Sequence, residues 1–260
     1  MQPSIISVLL LSVPALALAQ GTRPAPMPPR LLMVTHSAGY QHEVVRRPTP
    51  QRLSVAEQVV AELGERSGTF EVTHLYARDQ LASLGRHSFQ GFHAILFFTT
   101  GRLPLTADAR QGLLEFVRAG GGFIGVHSAT DTWYDVPEYG EMLGGYFDGH
   151  PWHQRVRVIV EDPTHPSTRH LGRAFVITDE IYQFRSWSRG RVHVLLTLAP
   201  HSVDISKGKR LDRDYSLAWT RQYGRGRVFY TALGHRQEVW VDERFRQHLL
   251  EGIRWAMGIP

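Results

Sequence analysis

Short apolar runs alternate with amphipathic stripes along the first half of this chain. Leu31, Leu32, Met33 and Val34 form an unbroken run ending at Thr35-His36, the pattern of a strand covered on both faces. Val55, Val59 and Leu63 then recur every four residues, which predicts a helix over residues 51–66 with one stripe against a sheet. Residues 70–75 read as a second strand, 79–84 as a short helix and 94–98 as a third, fully apolar strand. Thr106 is suited to cap the next helix, whose buried stripe is Ala109, Leu113, Phe116 and Val117. Gly120, Gly121 and Gly122 stop that helix, because glycine takes the left-handed conformation a C-terminal cap requires. Phe123, Ile124 and Val126 follow as a central strand, with Gly125 predicting close approach by another backbone.

The pattern changes after Asp131. A short helix is expected near residues 138–143. Val156, Val158 and Val160 then alternate with Arg155 and Arg157 over residues 154–160, as in a half-exposed, antiparallel strand. Residues 176–184 and 192–198 read as further strands, and 216–220 with 227–232 as a hairpin joined through Tyr223-Gly224-Arg225-Gly226. Phe245, Leu249, Ile253 and Ala256 lie at helical spacing in a closing helix. Strands that alternate with helices over short connections predict an α/β fold, with a mostly parallel sheet, helices on both faces and antiparallel additions. No internal repeat, second boundary or linker follows Arg30.

Composition narrows the setting. The 260 residues are 42% hydrophobic and 20% charged, enough for one large domain over residues 30–260. Residues 5–19 are almost wholly apolar and end in Ala17-Leu18-Ala19, so residues 1–19 are expected to be a signal peptide cut near Ala19, with no stable membrane insertion afterwards, an N-terminal anchor being the alternative. Residues 20–29 form a Pro-rich tether. The expected location is across the inner membrane, periplasmic or extracellular. The net charge of +5 comes mostly from dispersed arginines, with Lys207 and Lys209 the only lysines. Without a basic block or a recognisable motif, nucleic acid is not an expected partner. Cysteine is absent, which removes disulfides and a thiol nucleophile.

The candidate chemistry is histidine-rich. Ligands of open α/β sheets bind beyond the carboxyl ends of the strands, and His36, His127 and His235 each follow a predicted buried strand. Neutral imidazoles gathered there suit a divalent metal, zinc first, or proton transfer near neutral pH. His42, His150, His153 and Glu180 are positioned to join them, and Asp179 or Asp131 offers a further carboxylate. Tyr40, Trp133, Tyr134, Trp152, Tyr182 and Trp187 supply aromatic faces suited to sugar rings. The other histidines, including His87, His165, His170, His201 and His248, are expected at the surface or bonded to loop backbone. Gly120–Gly125 match G-x-G-x-x-G only in letters, since they run from a helix end into a strand and not from a strand into a helix, and no P-loop occurs, so no nucleotide cofactor is expected. Ser128 lacks the G-x-S-x-G frame of a nucleophile elbow.

Five segments together resemble the ThuA-like, or trehalose-utilisation, family: V-T-H-S-A-G-Y-Q-H at 34–42, G-G-G-F-I-G-V-H-S-A-T-D at 120–131, G-H-P at 149–151, D-E-I-Y at 179–182 and G-R-G-R-V-F-Y-T-A-L-G-H at 224–235. The resemblance covers residues 31–257 and implies a flavodoxin-like sandwich akin to class I glutamine amidotransferases. Their I-G-x-C elbow is matched here by I-G-V-H, with His127 in the nucleophile's place, so glutaminase chemistry is excluded. His235 stands roughly where their catalytic histidine does, but Arg236-Gln237-Glu238 does not reproduce their His-Pro-Glu. The family name implies a small-molecule carbohydrate: trehalose, another disaccharide or an oxidised sugar. The expected protein is a sugar-processing hydrolase, lyase or isomerase. In it His127, His235 and Glu180 are catalytic, His36, His127 and His235 are candidate metal ligands, and Tyr40, His42, Asp131, Trp133, His150 and Tyr182 contact substrate. The alternative is a non-catalytic periplasmic protein that binds sugar or metal.

Overall fold

The computed structural model describes residues 27–260, so the expected signal peptide and most of the tether lie outside the described residues. The parallel half of the sheet is built from β1 (Arg30–Val34), β2 (Glu71–Leu75), β3 (Ala94–Phe97), β4 (Gly122–Val126) and β11 (Gly226–Thr231). Antiparallel strands β10 (Ser216–Tyr223), β9 (His193–Leu198), β6 (Trp152–Val160) and β7 (Ala174–Ile181) extend it. The resulting nine-stranded sheet runs β2-β1-β3-β4-β11-β10-β9-β6-β7. A separate two-residue ribbon pairs β5 (Tyr146–Phe147) with β8 (Phe184–Arg185).

Helices cover both faces, as the alternation of strands and helices requires. On one face α1 (Val55–Ser67), α5 (Gln237–Trp240) and α6 (Glu243–Met257) pack over Leu31, Met33, Leu96 and Ile124. On the other, α2 (Arg78–Ala82), α3 (Ala107–Arg118) and α4 (Pro137–Leu143) pack over Leu32, Val34, Ile95 and Phe123. Alternate residues of one strand thus feed opposite cores.

Several boundaries move for identifiable reasons. Helix α1 begins at Val55 instead of residue 51, because Ser54 and Glu57 form a capping box: Ser54 Oγ accepts from Glu57 N, and Glu57 Oε2 accepts from Ser54 N. Thr106 caps α3 as expected, accepting from Ala109 N. β6 starts at Trp152, two positions before the alternation begins, and its register sets His153 opposite Glu180. The strand expected over 176–184 divides at Gln183, whose amide and carbonyl pair with Gly149 and Asp148 instead of β6. The close approach at Gly125 comes from side chains, not backbone: a Cβ there would lie 2.8 Å from Leu143 and Tyr230 carbons.

Candidate metal centre

The connections beyond β1, β3 and β4 are stitched together before any functional side chain is placed. Ser37 bridges Thr100, and Gly101 bridges Thr132. Buried Thr100 accepts from Gly39 N and donates to Tyr40 O. Gly101 is required here, since its φ is +73° and a Cβ would lie 2.7 Å from Gly39 N. This packing brings the loop after β1, including His42, against the end of β4.

His127 opens a 3-10 turn, His127–Asp131, directly after β4, with φ at +46°. A non-glycine residue in that region is strained, and such residues persist where neighbours over-determine them. Here Tyr230 Oη donates to His127 O at 2.7 Å, and His127 Nδ1 donates to Ala232 O at 2.6 Å. A carbonyl can only accept, so the Nδ1 proton is fixed. In the neutral ring, the Nε2 lone pair then faces the cluster.

His235 follows β11 through Ala232-Leu233-Gly234. Its loop is gripped by Asp179, which is fully buried: Oδ2 accepts from Gly234 N at 2.7 Å and Oδ1 from Arg236 N at 3.1 Å. Asp179 therefore faces the backbone on either side of His235, while the next residue of β7, Glu180, presents its carboxylate to the histidines. Asp179→Asn would turn an amide N–H toward a backbone N–H. A loss in divalent-metal affinity of about 10–100-fold is expected, the usual range for a supporting residue. Isothermal titration of the folded variant tests this, and unchanged affinity would refute the supporting role.

Glu180 is the hub. Its Oε2 lies 3.0 Å from His235 Nδ1 and 3.5 Å from His127 Nε2, which are 3.3 Å apart. Ligands of a tetrahedral zinc at about 2.0–2.1 Å stand roughly 3.4 Å apart, so this triangle has nearly the edges of such a site. His42 completes the group, and one ligand atom from each of His42, His127, Glu180 and His235 lies within 4.8 Å of all the others. The donor set also fits a metal: His42 is buried, and its Nδ1 has no hydrogen-bond partner among the described residues. Burial, with His127 and His235 alongside, pushes the His42 pKa down to about 2, which keeps its ring neutral. Burial alone would raise the Glu180 carboxyl, but the His127 and His235 rings beside it outweigh that and hold it well below the usual carboxylate range.

His36 is not in this group. Its Nδ1 donates to Tyr76 O at 2.8 Å, at the end of β2, and His42 from the same loop stands in the cluster where His36 was expected. A cavity of about 260 Å³ opens beside the cluster, lined by Tyr40, Asp131, His150 and Tyr182 as well as His42, Glu180 and His235. Phe147 joins its wall, unforeseen from the sequence. His150 Nδ1 lies 3.4 Å and His153 Nδ1 4.0 Å from Glu180 Oε1, both at the exposed rim. Trp133 does not line the cavity: it is buried with Phe97 and Tyr139, at ring separations of 5.8 and 5.2 Å. Trp152 and Trp187 are likewise core residues. Tyr134 instead donates its hydroxyl to Asp131 Oδ1 at 2.5 Å. Burial raises the Asp131 pKa, and the Tyr134 hydrogen bond pulls against that rise. The larger depression near Arg86 and Gly120, about 520 Å³, contains none of these residues.

Solved structures share the fold at low identity. A ThuA-like protein from Parabacteroides merdae ATCC 43184 superposes with a TM-score of 0.71 at 20% identity, over 90% of this chain and 91% of that one. A ThuA-like protein from Bacteroides uniformis ATCC 8492 gives 0.68 at 23% identity, over 90% and 95%. These likenesses carry the architecture, an α/β fold of the glutamine amidotransferase-like kind. No curated protein matches the chain. Residues 30–256, which include the whole His42–His127–Glu180–His235 cluster, match the family model for trehalose utilisation, and the chain belongs to that family, ThuA.

Proposed function

We propose that this protein is an exported, metal-dependent enzyme that acts on a sugar, using zinc held by His42, His127, Glu180 and His235. The observation that carries this reading is the triangle formed by His127 Nε2, His235 Nδ1 and Glu180 Oε2, with edges of 3.0–3.5 Å. The tautomer of His127, set by Ala232, supports it. A bound zinc, already held by four side chains, would act as a Lewis acid on a sugar oxygen by taking it as an added ligand.

The chain's own groups divide the remaining work. Tyr40, Phe147 and Tyr182 offer flat faces to the apolar side of a sugar ring, and Tyr182, its pKa raised by burial and then by Glu180, remains an O–H donor. Glu180 is occupied by its histidines, which leaves Asp131 as the free carboxylate on the cavity wall. Two-carboxylate glycoside hydrolysis needs both carboxylates for the reacting bond. One free carboxylate beside a metal suits proton abstraction next to a carbonyl better, and so favours an oxidised sugar in elimination or isomerisation. In that role Asp131 takes the proton and Tyr134 holds its carboxyl in place. Asp131→Asn should lower turnover by about 10²–10⁴-fold while metal content stays stoichiometric. Equal turnover in the variant would remove Asp131 from the mechanism.

The decisive test is elemental mass spectrometry of the untagged protein prepared without chelator, followed by assays against trehalose, other disaccharides and their oxidised forms. Stoichiometric zinc with turnover sustains the proposal. Sugar binding without any transformation would instead make it a binding protein. The export component rests on residues 5–19, and sequencing the amino terminus of protein from the cell's outer and inner fractions tests it: a protein with Met1 intact and confined to the cytoplasmic fraction would refute it.

A further inference from the structure

The four cluster residues are not held alike. His127 is fixed through Ala232, His235 through Asp179, and Glu180 by its place in β7. His42 sits in a loop, and among the described residues the only hydrogen-bond partner of its imidazole is the Tyr182 hydroxyl, 3.5 Å from Nε2. Its aim therefore depends on the path of the loop. That path leaves β1 at Thr35 and reaches the approach to α1 at Arg47, and both ends meet on one carboxylate. Thr35 Oγ1 donates to Glu57 Oε1 at 2.7 Å, and Arg47 donates from Nε to Oε2 at 2.8 Å and from Nη2 to Oε1 at 2.9 Å.

Glu57 has 0% exposure, and the Arg47 guanidinium lies 3.6 Å from the centre of the Tyr76 ring, whose carbonyl accepts from His36. A capping box asks only that Glu57 reach Ser54 N, which Gln does equally well. The buried ion pair exceeds that need, and a buried pair is weak as a source of stability compared with its power to specify one arrangement. Val44 and Val45 anchor the chain after His42 in the core, while Glu57 ties the two ends.

We infer that the Arg47–Glu57 pair is a positioning device for His42, closing the loop between Thr35 and Arg47 so that the imidazole completes the metal site. This inference rests on the reading of the cluster as a metal site. The test is a double-mutant cycle on zinc affinity by competition titration, using Arg47→Met and Arg47→Met/Glu57→Gln, each in wild-type and His42→Ala backgrounds. The double substitution leaves no unpaired buried charge, so it guards against a variant that fails to fold. Either change should weaken zinc by about 10–100-fold in the wild-type background and by no more than about twofold once His42 is gone. Equal losses in both backgrounds, or no loss in folded protein, would overturn the inference.

Hydrogen exchange of the metal-free protein provides an independent readout. Residues 36–46 should lose protection in the Arg47 variants while α1 keeps its own. Parallel loss in α1 would reduce the pair to helix support and overturn the inference. A wild-type protein that binds no zinc sinks the metal reading alone, and the exchange result still decides whether the clamp orders the loop.

Discussion

His127→Ala will lose divalent-metal binding by more than the roughly 100-fold that removal of a supporting residue costs, and any sugar turnover with it. His127 supplies one corner of the ligand triangle and is the residue whose proton position is set by its own partner, Ala232 O at 2.6 Å. Among the described residues nothing stands ready to replace it: it is wholly buried, His42, Glu180 and His235 already take the other places in the cluster, and His150 and His153 lie at the exposed rim. Two structural costs accompany the loss. The Ala232 carbonyl forfeits a buried partner, at about 1–3 kcal/mol, and alanine remains in a left-handed conformation at φ +46°. His127→Gly relieves that second cost, so it should be more stable than His127→Ala by about 1 kcal/mol while binding no better. Elemental mass spectrometry and thermal unfolding of the two variants check both statements. Stoichiometric metal in His127→Ala would remove the residue from the site.

Acid will destabilise the protein well before its carboxylates titrate. Burial pushes His248 down to about 4 and His165 down to about 4. In the unfolded chain these rings take up a proton near pH 6.5. The unfolded state therefore binds more protons than the native state from about pH 6.5 down to the folded values, and stability falls as pH falls through that window. By pH 5 the loss is roughly 2 kcal/mol for each ring. In metal-free protein His42 adds to it with the same sign, and bound metal should offset that part. Glu180, held below the usual carboxylate range, contributes stability above that range and loses it only at still lower pH. Urea midpoints measured between pH 7.5 and 5 should fall accordingly. His248 Nδ1 donates to Ser167 O at 2.8 Å, a bond that glutamine can reproduce without titrating. His248→Gln should therefore flatten the profile. An unchanged slope would show that His248 does not carry the effect.

Both expectations come from histidines whose surroundings, not identities, distinguish them. His165 and His248 belong to the buried framework: His165 bonds Ser167 Oγ, and His248 bonds the Ser167 carbonyl. His127 and His235 stand at the carboxyl ends of β4 and β11, where parallel sheets expose their loops to a common crevice.

The order of strands and helices was legible in the pattern of apolar positions, because each element buries one face or two and the period of burial differs between them. The runs at residues 31–34, 94–97 and 122–126, the stripe on α6 and the β10–β11 hairpin are local patterns of this kind. The positions of His127 and His235 at strand ends were legible for the same reason, as was the likeness to the ThuA family. Which histidine of the first loop meets them was not. His36 and His42 lie six positions apart, both in polar sequence, and the difference arises when His36 bonds Tyr76 O while Glu57 closes the loop and turns His42 inward. Asp179 and Glu180 likewise read as equivalent neighbours. Tertiary packing makes one a grip on the Gly234 and Arg236 amides and the other the hub of the cluster. A strand reports its alternation in sequence, but a side chain at a strand end takes its role from partners far along the chain, and those meet only when the sheet is assembled.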